Sequence, residues 1–412
     1  VAEPFVSSSS TTLISIKTPV QEVIIDLVGG DIVGVSLPTF PSALETPDDP
    51  FRLLRNDSSM VYVAQSGLVG RNGPDASSSG RPRYTSASSE YSLESGQLAV
   101  DLTTQAKDVS ITKRYTFSAD DFLIGVEYLI SNNSSLPFSA NLYGQIKRDA
   151  SLDPSKTGGG GLGIRTFLGA AMTSEDDPYM KASLEDMDDG VPSIEMIGGW
   201  IGFSQHYFLG SWIPASTEKN TFSARKNNNG QYLIGFVGPE KTVQPGEQLQ
   251  LQASFWAGPK DQYRLENIAP NLGQTIDYGK LWFVGYPIFW VLSRIYAFVG
   301  NFGLAIICLT IVIRTLFLPL SAKQFSSQAK MKKLQPKVAQ LKDRYGDDKQ
   351  KFMQAQMELW KKEKVNPFSG CLPVLLQMPV FLGIYWVLNE SVELRQAPFI
   401  LWYNDLSLMD SY

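Results

Sequence analysis

Residues 301–320 read NFGLAIICLTIVIRTLFLPL, twenty positions with a single charge, Arg314. A run of that length suits one crossing of a bilayer core about 30 Å thick, and it restricts the chain more than any other feature. A second run, CLPVLLQMPVFLGIYWVL at 371–388, carries no charge. As a helix it reaches about 26 Å, a little short for a typical core. Between the two runs, 321–364 holds 12 basic residues against 5 acidic, whereas 1–278 holds 20 against 32. Short basic loops stay cytoplasmic, while large acidic domains are translocated regardless of charge. The asymmetry predicts a basic block inside, with the acidic N-terminal part and the closing segment 391–412 outside.

Arg314 needs a host, since a charge at the centre of a bilayer costs about 3 kcal/mol on insertion scales. In one arrangement the span ends at Ile313 and Arg314 is its cytoplasmic flank, reaching up to phosphate. In the other, the apolar TLFLPL after the arginine continues the helix, and Arg314 lies in its inner half with Thr310 one turn earlier on the same face. Neither apolar run contains an acid. An ion pair within them is therefore excluded, and a hydrated cavity is the best host. The second run supplies Gln377, between Pro373 and Pro379. A lone glutamine is often plain interhelical glue, but prolines free carbonyls that only protein or water can satisfy. Together Arg314, Thr310 and Gln377 describe a polar recess inside the membrane.

Flanking segments follow the same logic. In 281–296, Trp282, Tyr286, Phe289, Ser293 and Tyr296 share a helical face, which suits an interfacial helix over 279–297. In the basic block, Met331, Leu334, Val338, Leu341 and Tyr345 keep a helical spacing that GDD at 346–348 interrupts and Met353, Met357 and Trp360 resume. That pattern predicts an antiparallel helical hairpin over 321–364, with Pro336 kinking the first helix or marking its start. Its bases, among them Lys330, Lys332, Lys333, Lys337 and Arg344, could attract anionic lipid, ribosomal RNA or a protein; charge alone does not choose.

From Thr12 to Pro259 the signal is β. TLISIKTPVQEVIIDLVGGDIVGVSL alternates apolar and polar residues around a Gly-Gly-Asp turn, and two later stretches repeat that grammar. Many short strands predict a β-sandwich over 1–259, followed by a polar connector over 260–278. SGLVGRNGPDASSSGRPRYTSASS (66–89) and the glycine-rich SKTGGGGLG (155–163) read as mobile loops. VAEPFVSSSSTTL at the start has neither the basic nor the apolar region of a signal peptide, so a preceding segment is expected.

Enzyme chemistry finds little support. His206 is the sole histidine, which excludes a multi-histidine metal site or a histidine acid/base pair. GGGGLG lacks the Lys-Ser/Thr ending of a phosphate loop, and LEDMDDG (184–190) misses calcium-loop spacing and reads as surface charge. Cys308 and Cys371 fall in or beside apolar runs and read as buried thiols. No metal and no cofactor is expected.

Several stretches match a known family. They are IDYGKLWFVGYPIFW (276–290), FVGNFGLAIICLTIVIRTLFLPL (298–320), AKMKKLQPKVAQLKDRYGDDKQK (329–351), KVNPFSGCLPVLLQMPVFLGIYWVL (364–388) and SVELRQAPF (391–399). GGW, QHYF and WIP in 198–214 and WAGPK at 256–260 fit as well. By these the chain resembles the YidC/Oxa/Alb membrane-protein insertases over essentially its whole length. The resemblance implies a multi-domain protein of a bacterial inner membrane: a periplasmic all-β, mutarotase-like sandwich without mutarotase activity, then an α-helical membrane region. That region is divided into a helix at 298–320, the cytoplasmic hairpin and a helix at 365–390. Members also carry a transmembrane helix before the β-domain and three after VELRQAPF, so the sequence is expected to be part of a longer chain.

The function implied is insertion and folding of nascent membrane proteins through a hydrophilic groove. Arg314 would stand at its centre, Thr310 and Gln377 on its walls, and the hairpin would receive substrate. The Sec translocon, the ribosome and the lipid bilayer are the implied partners, with no DNA and no small-molecule substrate. One alternative is a transporter or channel subunit binding an anionic solute at Arg314; another is a carbohydrate-binding module on a membrane anchor. A transporter should show internal repeats and paired broken helices, and neither is visible in the sequence.

Overall fold

A computed structural model describes residues 12–78, 80–155, 166–346, 348–363 and 372–407. The glycine run expected as a loop and Cys371 lie outside the described residues. The chain divides into two compact units, 1–276 and 277–412.

The first unit is built on two sheets. One runs from edge to edge through Ile194–Ile197, Lys219–Lys226, Tyr232–Val243, Phe138–Arg148, Val61–Val69, Thr46–Asn56, Asp31–Ala43, Glu22–Asp26, Leu13–Lys17 and Glu90–Ser92. The other runs through Met180–Ser183, Gly169–Met172, Ile201–Ser204, Phe208–Pro214, Gln248–Pro259, Leu123–Asn132, Val109–Ser118, Gln97–Ala106 and Thr85–Ser86. Strict alternation along Val109–Ser118 turns Val109, Ile111, Lys113, Tyr115 and Phe117 inward. A strand with period two buries one face only, so the two inner faces must cover each other. They do so through aromatic rings: Phe51 stacks on Phe208 at 4.2 Å, and Trp212 meets Phe236 at 6.3 Å. The expected sandwich is the architecture found.

A lysine sits on that buried face. Lys113 is fully buried, and its Nζ donates to the carbonyls of Gly29 (3.1 Å), Gly30 (2.7 Å) and Ser66 (3.1 Å), which lie in the opposite sheet and its turn. Burial pushes its pKa from 10.5 down to about 7, against the pull of Asp31. The unfolded chain therefore binds a proton that the folded one has released between pH 7 and 10.5. Stability should rise with pH across that window, by about 1.4 kcal/mol per unit at most. Denaturant unfolding followed by tryptophan fluorescence, at pH 7 and about two units higher, should show a gain of about 2 kcal/mol that Lys113→Met abolishes.

The polar stretch 66–89, expected as a mobile loop, is instead tied to the same place. Arg81 pairs with Asp31, donates from Nε to Asp75 at 2.9 Å and from Nη2 to the Ser66 carbonyl at 2.8 Å. Asp75 also accepts the Leu68 amide at 2.8 Å. Gly29, at φ +80°, leaves the space the guanidinium fills. Composition marks such a stretch as a loop, yet charges that find buried partners hold it in the fold.

Two short helices complete this unit. Leu184–Asp189 (α1) is the acidic LEDMDD, closed at its start by a reciprocal cap between Ser183 and Asp186. Gln262–Ile268 (α2) lies in the stretch expected as a plain connector. Its Leu265, with Ala269 and Leu272, packs into a cluster with Trp200, Leu209 and Trp256. Leu265 comes from the helix, Ala269 from its extended cap and Leu272 from the 3-10 turn that follows, and their common burial is why 260–276 joins the β unit rather than linking away from it.

The second unit is helical: Trp282–Val299 (α3), Phe302–Leu316 (α4), Leu318–Tyr345 (α5), Lys349–Lys362 (α6) and Leu372–Glu390 (α7). Helix α3 packs against both α4 and α7. It turns Gly285, Ile288, Phe289 and Leu292 inward and leaves Trp282, Phe283, Tyr286 and Trp290 exposed. Of the expected aromatic face only Phe289 is buried, because the i, i+3, i+4, i+7 stripe that packs runs through Gly285, Ile288, Phe289 and Leu292 and shares only that residue with it. The approach to α7 is close enough that a Cβ on Gly383 would meet Val284 at 2.9 Å.

Candidate functional site

The site residues of α4 stand on its open side. Asn301 caps the helix: its side chain accepts the Leu304 amide at 3.0 Å and donates to the carbonyls of Pro398 (3.2 Å) and Phe399 (3.1 Å). Gly303, Ala305 and Leu309 are buried. Thr310 and Arg314, four residues apart on one face, are exposed. The Thr310 hydroxyl donates back to the Ile306 carbonyl at 2.8 Å, and Thr315 does the same to Ile311 at 2.8 Å. Arg314 has no hydrogen-bond or ion-pair partner among the described residues.

The helix does not continue straight after the arginine. It ends at Leu316 with Phe317 as its cap, and α5 starts at Leu318 with Pro319 in its first turn, bent by 60° from α4. Proline lacks the amide that a continuous helix would need there and is at home in a first turn, so TLFLPL makes a corner instead of a longer span. Fifteen residues amount to about 22 Å of helix, short of a bilayer core. Arg314 thus occupies the last turn, where the unpaired carbonyls and the helix dipole favour a cation. This corner is the feature that sequence reasoning missed, and Pro319 was its signal.

Gln377 is half-buried on α7, a different helix; α4 and α7 both pack against α3, and both also touch α5. The structure therefore joins Thr310 and Arg314 on one face, and holds Gln377 on the second helix packed against α3. At the opposite end of α4, the segment after α7 closes over it. Glu390, Ser391, Arg395 and Asp405 are buried there, Asp405 accepts the amides of Gln396 (2.9 Å) and Ser407 (2.8 Å), and the Phe399 ring lies against Gly303.

The basic hairpin forms from α5 and α6. Pro336 lies within α5 without ending it, on the exposed side where the unmade bond faces solvent. Asp348 caps α6 by accepting the amides of Gln350 (3.2 Å) and Lys351 (3.1 Å). Lys337 pairs with Glu363 across the hairpin at 2.6 Å, while Lys330, Lys332, Lys333 and Arg344 are exposed and Trp360 is half-buried. His206 is a core residue of the β unit, stacked on Tyr207 at 3.8 Å.

Comparison with known proteins covers both units. Residues 13–291 match the YidC periplasmic domain family, and residues 294–412 match the 60Kd inner membrane protein family. Among curated relatives, "Membrane protein insertase YidC" of Pseudomonas putida (strain GB-1) is 48% identical over 405 residues, covering 98% of this chain and 72% of its own length. The protein of the same name from Pseudomonas syringae pv. syringae (strain B728a) is 48% identical, with coverage of 98% and 72%. A galactose mutarotase-like protein from Lactobacillus casei superposes on 60% of this chain and 99% of its own, at 11% identity and a TM-score of 0.39. By sequence along nearly its whole length, the chain belongs to the YidC family of membrane protein insertases.

Proposed function

We propose that this protein inserts and folds membrane proteins, moving the hydrophilic tail of a substrate through a wet recess at Arg314 and releasing its apolar helix into lipid. The observation that carries the reading is an exposed guanidinium with no acidic partner among the described residues, in the last turn of an apolar helix that bends directly after it. A hydrophilic tail crossing bare hydrocarbon must shed its water. A recess reaching partway shortens that path, and an acidic tail finds a temporary partner in Arg314, with Thr310 and Gln377 as polar walls. The substrate helix then leaves along apolar surface, driven by its own burial. No nucleotide is needed.

The protein lies in the inner membrane in several passes, with the β-domain in the periplasm and the hairpin in the cytoplasm. Helix α4 with the start of α5 forms one crossing and α7 another. Helix α3 is long and apolar enough to cross as well. Its Trp282, Tyr286, Trp290 and Tyr296 are spread along its whole length, which favours a position in the headgroup layer, since crossing helices gather such rings at their ends. The ribosome and the Sec translocon are the partners that would deliver substrate.

Reconstitution tests the reading. The full-length protein in proteoliposomes should insert a small single-span substrate without ATP. Transport of a labelled anion with no insertion would put the anion-transporter alternative in its place.

A further inference from the structure

The hairpin leaves over an apolar stripe that it does not use. Met353 and Met357 of α6 are 59% and 53% exposed, one turn apart, and the half-buried Trp360 continues their line with part of its ring surface still open. The half-buried Phe352, Ala355 and Leu359 lie on another side, the side on which Glu363 meets Lys337 of α5. At 3.6 residues per turn the Met353–Met357–Trp360 stripe is about 60° wide and points roughly 120° away from that packed side. The exposed Lys349 and Lys361 flank it, one on each edge. In the sequence the same three residues mark the second helix of the hairpin by their spacing; the half-buried side is that of Phe352 and Leu359.

We propose that this stripe docks on anionic phospholipid of the cytoplasmic leaflet, so that α6 lies along the membrane surface. The inference rests on the membrane placement above and goes beyond it. Three observations favour lipid. The stripe is the convex face of one helix and offers no groove to enclose an apolar segment, whereas a bilayer surface needs none. The segment 321–364, with 12 basic residues against 5 acidic, complements a negatively charged surface. Finally, α5 starts two residues after the apolar α4 ends, so the hairpin is rooted at the bilayer, and a weak attraction per side chain is enough at that local concentration. Flexible thioethers fit an irregular acyl boundary, and the flanking lysines reach headgroup phosphates from its edges.

The test uses the full chain with Cys308 and Cys371 replaced by serine and an environment-sensitive fluorophore on a single new cysteine. Variants Met353→Cys, Met357→Cys, Gln354→Cys and Ile311→Cys are reconstituted into phosphatidylcholine vesicles with and without phosphatidylglycerol. With the anionic lipid, probes at 353 and 357 should shift to the blue and be quenched by lipid-borne spin labels, while the probe at 354 should remain in water. The ratio of docked to undocked hairpin should fall about fivefold for each of Lys349→Gln and Lys361→Gln. The probe at 311 on α4 reports membrane placement independently. If it is quenched while 353 behaves like 354, the docking proposal fails alone; if 311 is not quenched, the placement fails first and docking with it. A blue shift at 353 that needs an added apolar nascent segment, and not phosphatidylglycerol, would overturn the lipid assignment in favour of a peptide.

Discussion

Arg314→Ala is expected to reduce insertion of substrates with acidic tails by about 10- to 100-fold while changing apolar-tailed substrates about twofold or less. An arginine about 4 Å from a carboxylate contributes roughly 4 kcal/mol at an effective dielectric of 20, and water in the recess screens much of that. A net effect of about 1.5–3 kcal/mol remains, which is the range quoted. Arg314 is exposed, so its removal breaks no hydrogen bond or ion pair among the described residues and loses only its favourable place at the end of the helix dipole. Folding of the variant should therefore be unchanged, and Arg314→Lys should recover most of the activity, because a point charge suffices where no bidentate geometry is imposed. Reconstituted insertion assays with two substrates differing only in tail charge measure this. Equal losses on both would remove the electrostatic role, leaving the arginine as a headgroup anchor.

Gly303→Leu should destabilise the helical unit by about 2–3 kcal/mol, the range of an overpacked core. A Cβ at 303 would fall against the Phe399 ring, in a corner where the Asn301 side chain already holds the carbonyls of Pro398 and Phe399. Neither partner can retreat without releasing the helix cap. Thermal unfolding in detergent should show the loss, and the Phe399→Ala background should return a good part of it, since the two changes share one contact. If the double variant is no better than the sum of the single ones, Phe399 is not what Gly303 accommodates.

Both predictions concern parts of α4 that were unequally legible. The lone charge in an apolar run stood out at once, because charge and length are read directly from composition. The corner at Phe317 did not, although Pro319 marked it, because an apolar run looks the same whether the chain continues or turns. In the hairpin, a 4-3 spacing found both Met353–Met357–Trp360 and the α5 stripe; spacing identifies residues that share a face but not the direction in which the face points. Phe352 and Leu359 form a second face of the same period, and Glu363 beside Lys337 fixes which of the two is inside.

What the sequence determined by itself was the division into an alternating, acidic β part and an apolar, basic helical part, the hairpin between two apolar runs, and the family. These are properties of period, charge and local motif. Tertiary structure alone decided that Arg81 meets Asp31 and Asp75, so that 66–89 is anchored rather than loose, and that 260–276 packs onto Trp200 and Trp256. Partners fifty residues apart leave no periodic trace in the chain; they are selected only when strands bring buried charges close enough that pairing costs less than leaving them unpaired.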